Sequence, residues 1–113
     1  GGTIENSYAR GEVSGQAGVG GLVGSNNGQI KTSYSRAKVS GERYTGGLVG
    51  VADEQKVIDS YYDREVTGLN EAAQAVPKTT RELKQKATFS SWDFTTVWNI
   101  EEGVSYPYLQ WEE

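Results

Sequence analysis

The pentapeptide Gly20-Gly21-Leu22-Val23-Gly24 returns unchanged as Gly46-Gly47-Leu48-Val49-Gly50, 26 residues later. An internal period of about 20–50 residues restricts a chain to solenoids, propellers or arrays, because each unit is too small to bury its own apolar face. The echo is longer than five letters. Asn6-Ser7-Tyr8-Ala9-Arg10-Gly11-Glu12-Val13-Ser14-Gly15 aligns at the same offset with Thr32-Ser33-Tyr34-Ser35-Arg36-Ala37-Lys38-Val39-Ser40-Gly41. A third copy, Asp59-Ser60-Tyr61-Tyr62-Asp63-Arg64-Glu65-Val66-Thr67-Gly68, follows at an offset of 27, its extra residue placed in the loop 51–56. That offset carries the pentapeptide onto Ala73-Gln74-Ala75-Val76-Pro77, where only the valine survives, so the array is expected to run out there.

Each unit opens with an extended run in which alternate residues share a face, putting Ile4, Asn6 and Tyr8 on one side. Gly11 permits a bend, residues 12–14 form a second short strand, Gly15-Gln16-Ala17-Gly18 reads as a loop, and the pentapeptide supplies a third strand. Ser25-Asn26-Asn27-Gly28 is a turn signal, since Asn-Gly tolerates positive φ. Three strands and tight corners per 26 residues describe one coil of a right-handed parallel β-helix, a solenoid of about three coils, the hand following the crossover preference of parallel strands. Stacking would pile equivalent residues into columns: Ile4, Ile30, Val57; Tyr8, Tyr34, Tyr61; Val13, Val39, Val66; and Leu22, Leu48, Ala75. It would also make Glu12, Lys38 and Glu65 lateral neighbours of alternating sign. Arg10, Arg36 and Asp63 alternate only at their second step. Asn6, Thr32 and Asp59 either form a hydrogen-bonded ladder or mark where the strand begins to turn.

Composition divides the chain near residue 68. Fourteen of the 15 glycines lie at or before Gly68, whereas all 3 tryptophans and both phenylalanines lie after it. A hydrophobic share of 35% suits a thin core, and a net charge of −4 without a basic cluster argues against nucleic acid. The chain has neither cysteine nor histidine, which removes disulfides, the usual zinc ligands and the common proton shuttle near neutral pH. No signal peptide or long apolar run is present, so no membrane insertion is expected. The chain starts within a repeat, and the expectation is a piece of a longer parent.

Residues 1–77 are read as the repeat region and 78–113 as a segment that closes it, together one structural domain. Thr79 with Glu82 three residues on makes a capping box, predicting a short α-helix over 80–86 anchored by Leu83 and Ala87. Residues 88–111 then deliver Phe89, Trp92, Phe94, Trp98, Tyr106, Tyr108 and Trp111. An open solenoid end exposes core and unpaired edges, so this aromatic segment is expected to cap the last coil.

The repeated Gly-Gly-Leu-Val-Gly, the Asn-Gly turn, and Ser-Tyr followed six residues on by Ser-Gly or Thr-Gly resemble the GLUG-motif repeats of large bacterial surface proteins. That motif also occurs in adhesin-like and haemagglutinin-like proteins and in non-catalytic parts of IgA-specific metallopeptidases. Trp-Asp-Phe, Val-Trp-Asn-Ile and Tyr-Pro-Tyr-Leu-Gln-Trp resemble the segment that often ends GLUG-containing chains. The resemblance covers residues 1–68 and implies a solenoid and an extracellular or cell-surface location, without implying an activity. Ala37 and Arg64 depart from it where the first unit has Gly11.

Catalysis would need a positioned nucleophile with a base, or paired carboxylates in a cleft, and neither pattern is present, so no enzyme and no cofactor are expected. Asp53, Glu54, Asp59, Asp63 and Glu65 are dense enough to consider for a cation, but they lack calcium-loop spacing and read as a solvated polar face. The glycine string 18–24 is not a dinucleotide loop, because no βαβ unit surrounds it. Three roles remain: a structural or adhesive spacer, a carbohydrate-binding module that stacks sugars on Trp92, Trp98, Tyr106, Tyr108 or Trp111, and an accessory part of a secreted peptidase. Partners would be neighbouring repeats or domains, surface glycans or host proteins, with this chain a monomer.

Overall fold

The computed structural model describes residues 3–26, 29–40, 43–52, 56–67 and 75–112. Among the described residues the chain is mainly β with one short α-helix, and all but one of the strand pairings are parallel. A unit holds five short strands rather than three. In the first they are β1 (Thr3–Glu5), β2 (Tyr8–Ala9), β3 (Glu12–Ser14), β4 (Ala17–Gly20) and β5 (Val23–Asn26). In the second they are β6 (Gln29–Lys31), β7 (Tyr34–Ser35), β8 (Lys38–Ser40), β9 (Arg43–Gly46) and β10 (Val49–Ala52). The stretch read as a loop, Gly15-Gln16-Ala17-Gly18, thus contains the start of β4, and the pentapeptide bends at Gly21 and Leu22 between two strands. Of the turn signal, Ser25 and Asn26 belong to β5, and Asn27 and Gly28 lie outside the described residues.

Every strand of the first unit pairs in parallel with its counterpart in the second at the offset of 26, as in Ile4↔Ile30, Tyr8↔Tyr34, Val13↔Val39, Gly20↔Gly46 and Val23↔Val49. A third layer adds β11 (Lys56–Ile58) and β12 (Tyr61–Asp63) at 27, with Val57↔Ile30 and Tyr61↔Tyr34. There the repetition stops. Where the third copy aligns with β8, the chain forms α1 (Arg64–Thr67), so Val66 and Glu65 do not join the valine and alternating-charge columns. The cause is Asp63, whose carboxylate accepts the amides of Glu65 and Val66 at 2.9 and 3.2 Å and so starts a helix. The chain returns as β13 (Val76–Lys78), which pairs with β12, Val76 opposite Tyr61 and not Val49. Ala75 keeps its expected place, buried with Leu48.

The expected alternation from Ile4 to Tyr8 is interrupted. Asn6, Thr32 and Asp59 have φ of 52°, 48° and 49°, one left-handed residue per layer. This turn separates the sheet β1-β6-β11 from the sheet β13-β12-β7-β2 and sends neighbouring side chains to two different cores. Ile4, Ile30 and Val57 pack with Leu22, Leu48, Val49, Tyr62 and Ala75. Tyr8, Tyr34 and Tyr61 face the terminal segment instead. The turn reading holds in all three layers, and the ladder is present between the first two, where Thr32 donates to Asn6 Oδ1 at 2.7 Å. Beside it runs a serine ladder missed in the sequence: Ser7 N donates to Ser33 Oγ (3.2 Å) and Ser33 N to Ser60 Oγ (3.3 Å). Each serine hydroxyl donates in turn to the carbonyl two residues back, so buried polar groups between layers are satisfied.

The predicted helix over 80–86 is instead two 3₁₀ turns, Glu82–Lys84 and Lys86–Phe89, separated by Gln85 in an extended conformation. The capping box itself is made, Thr79 N to Glu82 Oε1 at 2.9 Å and Glu82 N to Thr79 Oγ1 at 3.1 Å. Leu83 is buried, whereas Ala87 is exposed and anchors nothing. The segment then forms an antiparallel pair, β14 (Trp98–Asn99) with β15 (Tyr108–Leu109), and ends in the 3₁₀ turn Gln110–Glu112. Its position differs from the expected cap. It meets one tyrosine from each layer, Tyr8, Tyr34 and Tyr61, and so lies along the flank of the tyrosine column rather than across the end of the stack. Left uncovered, a file of three phenol rings would expose more apolar area than one strand edge, and β13 already pairs with β12.

Candidate functional site

The glycine pentapeptide is explained by close approach. A Cβ on Gly21 would lie 2.0 Å from Ser35 Oγ and 2.2 Å from the Gly47 carbonyl, and one on Gly47 would lie 2.1 Å from the Tyr62 ring. The motif therefore defines packing rather than a site: Gly20, Gly46, Leu48 and Val49 are buried, Leu22 and Gly50 half-buried, and Val23 and Gly24 lie in β5. Of the proposed sugar platforms, Trp92 and Trp98 are core residues at 5% and 0% exposure. The Trp92 indole donates to the Asp59 carbonyl at 2.8 Å, whereas the buried Trp98 Nε1 finds no hydrogen-bond partner among the described residues. Tyr106 and Tyr108 are half-buried, and Trp111 is 80% exposed.

Between the tyrosine column and the terminal segment lies a cleft of about 440 Å³. Its floor carries Tyr8 and Tyr34, whose rings stack at 5.2 Å and 5°. Tyr34 is fixed by donating its hydroxyl to the Pro107 carbonyl. Arg10 and Arg36 occupy equivalent places in successive layers, immediately after β2 and β7, and the Arg36 amide donates to the Ala9 carbonyl at 2.9 Å. Like charges on neighbouring strands repel, so this pairing costs stability unless an anion answers it. Lys84 brings a third cation from the terminal segment. The Arg36 guanidinium carbon lies 4.6 Å from the centre of the Tyr106 ring and Lys84 Nζ 5.3 Å, both within cation–π range. Tyr106 is thereby engaged by protein cations, which weakens its case as a sugar platform. Among the described residues Arg36 Nε is buried without a hydrogen-bond partner.

One carboxylate, Glu112, lines the same cleft. It accepts the Tyr8 hydroxyl at 2.7 and 2.6 Å and the Leu109 amide at 2.9 Å. Those bonds hold its carboxyl below the usual range, with Arg10 and Arg36 contributing. Burial pushes the Tyr34 phenol upward. Burial first, and a hydrogen bond to Asp63 second, push Tyr106 up to about 12. The cleft thus sets three cations, Arg36 and Lys84 held against Tyr106 and Arg10 exposed at the rim, against one carboxylate, a lining suited to an anion.

The carboxylates considered for a cation have separate duties. Asp63 is fully buried rather than solvated, accepting from Thr80 Oγ1 at 2.7 Å and from the Tyr106 hydroxyl as well as starting α1. Glu65 accepts the Thr80 amide at 2.9 Å, and Asp59 is exposed. Asp53 and Glu54 lie outside the described residues. Among the described residues no group of three or more acidic side chains is placed to hold a metal ion. Nothing in the sequence signalled the cleft, because Lys84, Tyr106 and Glu112 reach Arg10 and Arg36 from outside the repeat.

No family model and no solved structure matches the chain. A curated protein of Evansella cellulosilytica, named "Putative Gly-rich membrane protein", is 34% identical over 111 residues, covering 95% of this chain. The chain spans about 10% of that relative's length. Among the described residues of this chain no helix is long and apolar enough to cross a membrane.

Proposed function

We propose that the chain is a stretch of GLUG-type β-solenoid, a right-handed parallel β-helix of about three coils buttressed along one flank by its aromatic segment. It serves as a non-catalytic structural or adhesive module of a larger secreted or surface-anchored bacterial protein. The observation that carries this reading is the constant offset of 26 maintained through five successive parallel strand pairs. Side chains chosen for packing fill the repeated positions, as the buried Ile30, Tyr34 and Leu48 illustrate. The glycine-rich composition and the membrane association in the name of the much longer relative favour an envelope protein built from many such units.

Duplicating one 26-residue unit tests the architecture. Stacked layers add about 4.8 Å along one axis with the cross-section unchanged. Small-angle scattering that shows thickening, or a flexible bead beside the original, would overturn the solenoid. For the location, protease treatment of intact cells carrying the full-length protein is expected to release this module, and its persistence inside washed cells would count against a surface role.

A further inference from the structure

Beside the cationic cleft lies a second hollow of about 390 Å³, whose lining shares Tyr8, Arg10 and Glu112 with it. This outer hollow is bordered by Trp111, whose exposed indole contrasts with the burial of Trp92 and Trp98. The chain buries two of its tryptophans and leaves the third beside a charged groove, where an indole offers a flat apolar face at small conformational cost.

We infer that the two adjoining hollows bind an acidic oligosaccharide, one sugar ring resting on Trp111 and a uronate carboxylate held by Arg10 and Arg36. Each feature of the lining answers one feature of that ligand. Arg10 and Arg36, at equivalent places in adjacent layers, both line the cleft and bring two guanidinium groups, the donor type best suited to a carboxylate. Glu112, already an acceptor for Tyr8, accepts from sugar hydroxyls that flank the carboxylate. A combined space of two hollows near 400 Å³ each falls within the range of about 300–1,000 Å³ usual for small-ligand pockets. An acidic peptide fits less well, because it offers neither a rigid ring face for Trp111 nor a row of hydroxyls for Glu112. This binding role is separate from the solenoid reading and needs only the cleft.

The test is titration of the full chain with di-D-galacturonate, with the methyl ester of the same disaccharide, and with a tetra-aspartate peptide, followed by tryptophan emission and calorimetry. The acid is expected to bind about tenfold tighter than the ester, as loss of a charge-assisted contact implies. Trp111→Ala is expected to weaken acid and ester alike by about tenfold, and Arg10→Gln to narrow the gap between them. Both residues are exposed, so circular dichroism should show an unchanged fold. Equal affinity for acid and ester, no binding of either, or acid affinity unmoved in both folded variants overturns the inference. Tighter binding of the peptide than of the acid overturns it too, in favour of a protein partner.

Discussion

The two larger cores of this molecule meet at β12, which sends Tyr62 to one and Tyr61 to the other, and they are built on opposite principles. The aliphatic core, around Ile30, Leu48, Val49 and Ala75, is made by residues that recur, each meeting its own counterpart one layer away. The aromatic core, around Tyr34, Phe89, Trp92 and Trp98, joins one recurring residue to a set that occurs once, over separations such as the 73 residues between Tyr34 and Pro107. A periodic core can lengthen by copying. A unique core cannot, and it fixes the stack to a single partner segment.

Alkaline pH should break the comparison most completely, since four of the five core tyrosines lie in the aromatic core and Tyr62 alone in the aliphatic one. The raised pKa values of Tyr34 and Tyr106 mean that their stabilising contribution is fully present below about pH 10 and is lost as pH rises through the folded value, about 12 for Tyr106. Tyrosinate absorbance is expected to appear together with loss of tertiary structure in that window, and early, uncoupled ionisation would contradict the burial. Next is Trp98→Ala, which empties the centre of the aromatic core and should cost about 3–5 kcal/mol in denaturant unfolding. Tryptophan fluorescence and far-ultraviolet dichroism that still change together would make the two cores one cooperative unit. Fluorescence moving alone would make them two.

Gly47→Ala attacks the aliphatic side, where the added methyl meets the Tyr62 ring, and should cost about 2–3 kcal/mol. Gly11→Ala is its control: it has open space but φ of 100°, so only backbone strain of about 1 kcal/mol is expected. Asp63→Asn touches the junction of repeat and terminal segment. It weakens the start of α1 and the bonds to Thr80 and Tyr106, for about 1–2 kcal/mol by thermal unfolding. Trp111→Ala should shift stability by less than about 0.5 kcal/mol, which would place Trp111 outside both cores and leave it free for a ligand.

How far each core could be read from the letters follows from this difference. The columns Ile4, Ile30, Val57 and Tyr8, Tyr34, Tyr61 were legible because the offset that aligns the letters also aligns the strands. The left-handed turn between them was not, because its three residues differ and threonine, being β-branched, rarely adopts such a conformation. The third layer was misread at residues 64–67 because one aspartate, aligned with two arginines, nucleates a helix where its counterparts continue a strand. In the terminal segment the Thr79–Glu82 box was visible, but the extended Gln85 that limits it to one 3₁₀ turn was not. The cleft was illegible altogether, since Arg10 and Arg36 gain meaning only when Lys84, Tyr106 and Glu112 are folded against them.

The left-handed residue in each layer works as a sorting point. From Ile4 to Tyr8, Ile30 to Tyr34 and Val57 to Tyr61 the interval is the same four positions, although the unit lengths differ. A letter gained or lost inside that interval would exchange the destinations of oily and aromatic side chains at once. Gains and losses should therefore accumulate elsewhere in the unit, as the spare residue assigned to 51–56 already does, and what descends from copy to copy is a torsion angle more than an amino acid.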